Sequence, residues 1–247
     1  MSQQVRYLGH STVLVEIDGV RILTDPLLVE RIGPLHRHTD AVAHLLQDVD
    51  IHAVLISHAH HDHLHVPSLR HVPGRPRFIV PRGLGRFIRG RDVLEVAPGD
   101  RVEIGPVRID AVRAEHDGRR RPFGPTAPAL GYRIAGSSSV YFAGDTDLFP
   151  EMRELAGVDV ALLPVWGWGP RLGPGHLDPE RAAEAVAMIN PRIAIPIHWG
   201  TFYPYAFARL WPRPLGDPPH DFARAVAKVA PACVVHVLAP GETVEIP

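Results

Sequence analysis

Five of the chain's 16 histidines fall between Ser57 and His65, in the run Ser57-His58-Ala59-His60-His61-Asp62-His63-Leu64-His65. The run follows the apolar, strand-like segment Ala53 to Ile56 without a break, and residues 58, 60, 62 and 63 read HxHxDH. In extended backbone alternate residues share a face, so His58 and His60 can aim at one metal ion while the following turn presents Asp62 and His63 to another. Four specified positions match by chance in about 1 of 200 chains of this composition. The motif therefore needs partners, and any fold that uses it must end several strands at one edge.

Those partners exist. His116 follows the apolar run Val107 to Val112, Asp145 stands in Ala143-Gly144-Asp145-Thr146 after Val140 to Phe142, and His198 stands in Ile197-His198-Trp199-Gly200 after Ile193 to Ile197. Each lies where a strand would stop, which is how residues far apart in a chain converge at a sheet edge. The alternative, that all seven are ordinary surface or core residues, requires seven coincidences.

The surrounding pattern is of strands first and helices later. Short apolar runs at Ser11 to Ile17, Arg21 to Leu23, Ala53 to Ile56, Phe78 to Val80, Val107 to Val112, Tyr132 to Ile134 and Val140 to Phe142 are bounded by Gly or Pro and predict strands. Helical spacing predicts helices over Pro150 to Ala156, Pro179 to Ile189 with an Asp178 cap, and Asp221 to Val229. Between them Val158 to Leu163, Ile193 to Ile197 and Val234 to Leu238 lack alternation, which predicts strands covered on both faces and a layering of helices on sheets. No repeat or low-complexity linker divides the chain, so one domain over residues 1–247 is expected. The Pro-rich stretch Phe202 to Pro219 reads as a long loop or lid.

Bulk properties narrow the partners. With 45% hydrophobic and 21% charged residues and a formal net charge of −1, nothing draws the chain toward nucleic acid or an anionic membrane, and an anionic ligand must be held locally. The N-terminal MSQQVRYLGHSTVLVEI lacks a charged segment followed by a long apolar core, and no run of 18 apolar residues occurs. A cytoplasmic protein without membrane insertion is expected. The single cysteine, Cys233, excludes an internal disulfide and is expected as a buried thiol.

With these motifs in order over nearly its whole length, the sequence resembles the metallo-β-lactamase superfamily. Leu8-Gly9-His10-Ser11-Thr12, Val20 to Pro26 (VRILTDP), His176-Leu177-Asp178-Pro179-Glu180 and Ile197 to Phe202 (IHWGTF) are similar to the branch containing N-acyl-phosphatidylethanolamine phospholipase D and ascorbate-6-phosphate lactonase. The resemblance implies an α/β, four-layer αββα sandwich with two metal ions where its sheets meet. His58, His60 and His116 would hold the first ion, Asp62, His63 and His198 the second, and Asp145 would bridge them. His61 is not expected to ligate. His65 stands where many relatives carry an acid, which leaves open what supports the ligands from behind, and His10 reads either as such a support or, slightly favoured, as a packed turn residue. Zinc is the first choice, with manganese or iron as alternatives, since imidazoles and carboxylates suit all three.

The resemblance also sets the expected chemistry. Two ions sharing a water make it acidic and polarise the carbonyl or phosphoryl group under attack, so no protein nucleophile is needed. Asp62 is expected to orient the attacking group. His176 is expected to give the leaving group its proton, because it matches a histidine near the substrate in that branch and precedes a helix start. For the substrate, Arg119, Arg120 and Arg121 follow His116 closely enough for one guanidinium to reach a phosphate. Trp166 and Trp168, and Phe202 and Tyr203 within the larger group Phe202, Tyr203, Tyr205, Phe207 and Trp211, could wall an apolar pocket or simply pack. The leading expectation is hydrolysis of a phosphodiester or phosphorylated small molecule, lipid-like substrates included. A carboxylic ester or lactone hydrolase is the alternative. A nuclease and an iron-dependent redox protein rank lower, since diiron relatives usually carry a glutamate at the position of His60. Homo-oligomers are common in the resembling family.

Overall fold

The computed structural model describes residues 3–120, 124–167 and 172–246. Among them, two seven-stranded sheets and one three-stranded sheet carry the chain. The first sheet runs Thr243–Glu245, Gln4–Tyr7, Val13–Ile17, Val20–Thr24, Ala53–Leu55, Arg77–Pro81 and Asp92–Val96 from edge to edge. The second runs Val234–Val235, Ile193–Ile197, Val160–Pro164, Ser139–Phe142, Leu130–Ala135, Val107–Arg113 and Arg101–Ile104.

The two sheets face each other across one core in which Val15, Ile22 and Leu55 of the first meet Ile109, Tyr132 and Leu162 of the second. Successive residues of a strand point to opposite faces, so the second sheet's apolar runs serve two interfaces at once. Val160 and Leu162 enter the core between the sheets, while Ala161 and Leu163 lie under Ala182, Val186, Phe222 and Val226 of the helices Pro179–Ile189 and Asp217–Val229. The first sheet's outer face, with Leu23, Val54 and Phe78, is covered by Leu46 and Leu69 of short 3-10 helices, Ala43–Leu46 and Ser68–His71. The result is the αββα layering, thinner on the first side than on the second.

Strand direction sets the position of the candidate site. Gln4–Tyr7 and Val20–Thr24 are each antiparallel to Val13–Ile17, and Val20–Thr24 is parallel to Ala53–Leu55. These three strands therefore point the same way, and His10, Asp25 and His58 all leave the first sheet at one edge. By the same reasoning Val107–Arg113, Ser139–Phe142 and Ile193–Ile197 are co-directional in the second sheet. His116, Asp145 and His198 follow their ends. The edges are stitched together there: the Tyr132 hydroxyl donates to the Ile56 carbonyl at 2.7 Å, the Leu130 N–H to Ser57 at 2.9 Å, and the His198 N–H to His10 at 2.8 Å.

Several expectations need correction. Pro150–Leu155 is a 3-10 helix, as its two-turn length and Pro start allow. Val234 to Leu238 pairs only at Val234–Val235 on the sheet's outer edge, so it is not covered on both faces, and Val234 is 54% exposed. Cys233 beside it is accordingly only partly buried, though burial still pushes its thiol up to about 11. Phe202 to Pro219 is not a structureless lid. Phe202–Pro204 pairs with Leu35–Arg37, the helix Tyr205–Leu210 follows, and Asp217–Val229 starts four residues before the expected helix because prolines at 218 and 219 suit a first turn. The strands Leu35–Arg37, Asp92–Val96 and Arg101–Ile104 are short and carry polar or charged side chains among their apolar ones, so no apolar run marks them in the sequence. Among the described residues no helix is long and apolar enough to cross a membrane.

Candidate metal centre

The histidines of the first cluster are oriented from behind, and the groups that orient them fix which nitrogen each one offers. His116 Nδ1–H donates to the Gly175 carbonyl at 2.7 Å and His60 Nε2–H to the Arg119 carbonyl at 3.1 Å. A carbonyl can only accept, so the hydrogens are spoken for and the lone pairs of His116 Nε2 and His60 Nδ1 face each other at 3.2 Å. Ser57 Oγ gives its proton to Asp25 Oδ2 at 2.5 Å and so accepts from His58 Nδ1–H at 3.0 Å. That leaves His58 Nε2, fully buried and without a hydrogen-bond partner among the described residues, aimed at the same point. Burial holds all three imidazoles below the usual histidine range, so they are neutral donors.

The second cluster gathers His10, Asp62, His63 and His198. His63 Nδ1–H donates to Asp25 Oδ2 at 2.7 Å, which turns Nε2 toward His198 Nε2 at 3.2 Å. Asp62 Oδ2 lies 3.5 Å from each of those nitrogens. Asp145 stands between the clusters, with Oδ2 3.3 Å from His63 Nε2 and 4.0 Å from His58 Nε2, and Oδ1 3.4 Å from His198 Nε2. Burial alone would raise the Asp62 and Asp145 carboxyls, but the facing His63 and His198 imidazoles outweigh it and hold both well below the carboxylate range. His63 is in turn held well above its ordinary value: burial opposes this, and the carboxylates of Asp145, Asp62 and Asp25 prevail.

This donor set fits two divalent cations. Ligands bound to one zinc at about 2.0–2.2 Å stand roughly 3–4 Å apart, which is the spacing seen here. Lone pairs facing at 3.2 Å, an orphaned buried imidazole nitrogen and two ionised buried carboxylates are each unfavourable until a cation lies among them.

The local backbone is strained where the ligands are. Among the described residues, the non-glycine positions with positive φ are His10, Asp18, Asp25, Asn190 and His198, and three of these belong to the site. Gly144, at φ +61°, precedes Asp145 and passes so close to the first sheet that a Cβ there would lie 2.6 Å from Ser57 Cβ.

All seven residues expected as ligands, His58, His60, Asp62, His63, His116, Asp145 and His198, are brought together. His61 points outward and is exposed. His10 is not merely a packed turn residue: its Nε2 is 3.0 Å from Asp62 Oδ2 and its ring centroid 4.0 Å from that of His198. His65 bonds to Ser68 Oγ at 2.8 Å, and the support behind His63 comes instead from Asp25, a residue read in the sequence only as part of VRILTDP. Its signal was an acid ending an apolar strand just before a proline. His176 places Nε2 3.9 Å from Asp145 Oδ2, with Nδ1 3.3 Å from the Gly173 carbonyl.

The substrate candidates divide. Arg120 is engaged by the backbone: its guanidinium donates to the carbonyls of Ala59, His60 and Leu64, gripping the ligand loop rather than offering itself to a phosphate. Arg119 is exposed and its carbonyl positions His60. Trp166 lies with His10, His198 and Phe202 around a small cleft, and Tyr203 packs edge-on against Trp166 at 5.5 Å. Phe202 is buried, edge-on to His10 at 6.1 Å and capped by the Arg37 guanidinium at 4.7 Å. Arg121 and Trp168 lie outside the described residues.

Comparison with known proteins agrees with this picture. The family model described as a beta-lactamase superfamily domain matches residues 20–199. A metal-dependent hydrolase of Opitutus terrae is 32% identical over 98% of this chain and 100% of its own length. An N-acyl-phosphatidylethanolamine-hydrolyzing phospholipase D of Caenorhabditis elegans is 29% identical over 79% of this chain and 63% of its own length. A solved metallo hydrolase from Ignicoccus hospitalis is similar with a TM-score of 0.77 and 25% identity, covering 100% of this chain and 99% of that one.

Proposed function

Because the chain belongs to the beta-lactamase superfamily, in its metallo-β-lactamase fold branch, we propose that it is a dinuclear metal-dependent hydrolase of a phosphodiester or phosphorylated small molecule. The observation that carries the hydrolytic reading is the pair of ligand clusters joined through Asp145. His58, His60 and His116 would hold one ion, Asp62, His63 and His198 the other, with Asp145 shared and zinc preferred over manganese. When bound, two such ions would supply Lewis acidity, lowering the pKa of water and drawing charge from the phosphoryl or carbonyl oxygen on the atom under attack.

The chain's own groups do the rest. Asp62, held ionised, can only accept, and so orients the proton of an attacking water. His176 keeps Nδ1–H toward the Gly173 carbonyl, which leaves the Nε2 lone pair, 3.9 Å from Asp145 Oδ2, as the atom that takes up the proton released by the attacking water and hands it on to the departing oxygen. Trp166 narrows the cleft beside His10 and His198 and excludes water there.

The phosphodiester reading is supported by the phospholipase D relative, whose name states hydrolysis of a phosphodiester lipid. A carboxylic ester or lactone is the second reading, and one observation favours it: Arg120 is spent on backbone carbonyls instead of an anion site. The deciding experiment strips the protein of metal, reloads it with zinc or manganese, and compares a chromogenic phosphodiester with a lactone of similar size, using Asp145→Ala as control. Metal-dependent turnover of the phosphodiester that vanishes in the control is expected. Turnover of the lactone alone moves the assignment to the second reading, and no turnover of either with metal bound rejects both.

A further inference from the structure

We propose that Asp147, braced by Arg181, is a positioning residue for the first cluster of the metal centre: acting through Gly175, it sets the aim of the His116 lone pair and the place of His176. The proposal rests on the dinuclear reading of the centre and adds the group that holds His116 from behind.

His116 differs from His63 in what it leans on. His63 Nδ1–H meets the Asp25 carboxylate directly, whereas His116 Nδ1–H meets the Gly175 carbonyl at 2.7 Å. A loop carbonyl aims a ring only as well as its own loop is held. Gly175 is held by Asp147, whose Oδ2 accepts the Gly175 N–H at 3.3 Å. One residue thus has its N–H on a carboxylate and its C=O on a candidate ligand. At its φ of +86° a side chain would meet a backbone conformation rarely adopted and would set its Cβ 3.3 Å from His116 Nδ1; glycine removes both obstacles.

The carboxylate is not free to turn from this task. Asp147 Oδ1 accepts the Leu148 N–H at 2.8 Å and the Arg181 Nε–H at 2.9 Å, with a second guanidinium N–H on the same oxygen, so Oδ2 is the oxygen that faces Gly175. Arg181 is itself placed. Its backbone N–H donates to Asp178 Oδ1 at 2.8 Å in the first turn of Pro179–Ile189, the helix packed on the second sheet. The Asp147 backbone completes the hold: its N–H donates to the Glu115 carbonyl at 2.9 Å, and the Glu115 N–H donates to Thr146 Oγ1 at 3.0 Å. The residue before His116 is therefore fixed by the same short segment that fixes the ring.

His176 follows Gly175 directly, and its ring lies edge-on to that of His116 with centroids 4.7 Å apart. A loop that drifts carries both histidines off their marks. Ion pairs open to solvent add little to stability, and the Arg181 side chain is 42% exposed, so what this pair contributes is the direction of Oδ2.

The test follows zinc binding by competition against a chromophoric chelator, which resolves two steps when two ions bind. His60→Ala, lacking a ligand of the first cluster, identifies the step that belongs there. Asp147→Ala is expected to weaken that step by about 10- to 100-fold and to leave the other unchanged. Asp147→Asn should do no better, since an amide has one acceptor oxygen for the Arg181 and Gly175 donors together. Arg181→Met should produce a smaller loss, which Arg181→Lys, still able to set a charged donor on Oδ1, largely restores. At saturating zinc, kcat of Asp147→Ala should fall on the order of 10-fold at unchanged KM, because His176 is displaced as well. A pair that merely fastens the helix start would lower the urea midpoint of these variants and leave both zinc steps as in the wild type, and that result overturns the proposal. Equal weakening of both steps overturns it too. A wild type that binds fewer than two ions defeats the dinuclear reading and the proposal with it. If the first step weakens as expected while the wild type turns over no ester, the hydrolytic reading fails and the positioning role stands.

Discussion

The imidazole of His10 donates through Nε2–H to Asp62 Oδ2 at 3.0 Å, and its backbone closes the same circuit from the other sheet, accepting from the His198 N–H at 2.8 Å. Burial pushes this histidine down to about 3, so it is neutral, while Asp62 is ionised and can only accept. The ring is therefore a strut that fixes the carboxylate of one candidate ligand while its main chain fixes the loop of another. Outer hydrogen bonds of this kind typically account for 10- to 100-fold in metal affinity. His10→Ala is expected to weaken zinc binding at the Asp62 cluster by about that factor, and His10→Gln, whose amide N–H can take the place of Nε2–H, to recover much of it. Competition against a chromophoric chelator reads both. Equal affinities in wild type and His10→Ala would reduce His10 to packing.

Asp25 makes the corresponding prediction for His63. It receives Ser57 N–H at 2.7 Å, Ser57 Oγ–H at 2.5 Å and His63 Nδ1–H at 2.7 Å, and through Ser57 it also fixes His58. One carboxylate thus sets the tautomer of a ligand in each cluster. Asp25→Asn should lower affinity for both ions, by about 10- to 100-fold, with bound zinc measured by elemental analysis after dialysis against graded chelator. Loss at one cluster alone would contradict the shared role.

Arg120 separates two accounts of the same residue. As a clamp on the Ala59, His60 and Leu64 carbonyls it contributes to stability, and hydrogen bonds involving a charged group are worth at most about 1.5–3 kcal/mol each net of exchange with water, less on a half-buried side chain. Arg120→Met is expected to lower the unfolding free energy by roughly 2–3 kcal/mol, seen as a shifted urea midpoint at unchanged slope. Arg120→Lys should recover little, since one ammonium cannot span three carbonyls. A phosphate-binding role would instead raise KM and leave the midpoint where it was.

The two expectations about Arg120 and His10 mark where sequence reading stops. Ligand types at strand ends are legible because strand periodicity and the HxHxDH spacing are local, and the burial of Val160–Pro164 and Ile193–Ile197 on both faces follows from their apolar runs. Which donor stands behind which ligand is not local: Asp25 meets His63 across 38 positions and His10 meets Asp62 across 52. A run of arginines carries no sign of whether its guanidiniums face substrate or backbone, and only the fold of the loop decides it. The aromatic segment after Phe202 misled for a similar reason, since its short strand finds its partner at Leu35–Arg37, itself too brief to register as a strand.

Far from the metals, the Asp18–Gly19 turn gives a pH-dependent prediction that involves no ligand. Both residues have positive φ, the geometry of a tight hairpin between Val13–Ile17 and Val20–Thr24. The Asp18 carboxylate accepts from the Ser137 hydroxyl and, at 2.8 Å, from the Ser137 N–H, joining the hairpin of the first sheet to the turn before Ser139–Phe142 in the second. Those donors hold Asp18 below the usual value of 3.8. A carboxyl with a depressed folded-state pKa stabilises the fold above its unfolded value and loses that contribution as pH falls through the folded one. Asn tolerates the left-handed backbone and keeps one acceptor, so Asp18→Asn removes chiefly the charge. The variant should unfold at lower urea than the wild type at pH 7, with the difference held above the ordinary value of 3.8 and closing as pH falls below it. A gap that persists unchanged at pH 2.5 would mean that the turn depends on the shape of the side chain and not on its charge.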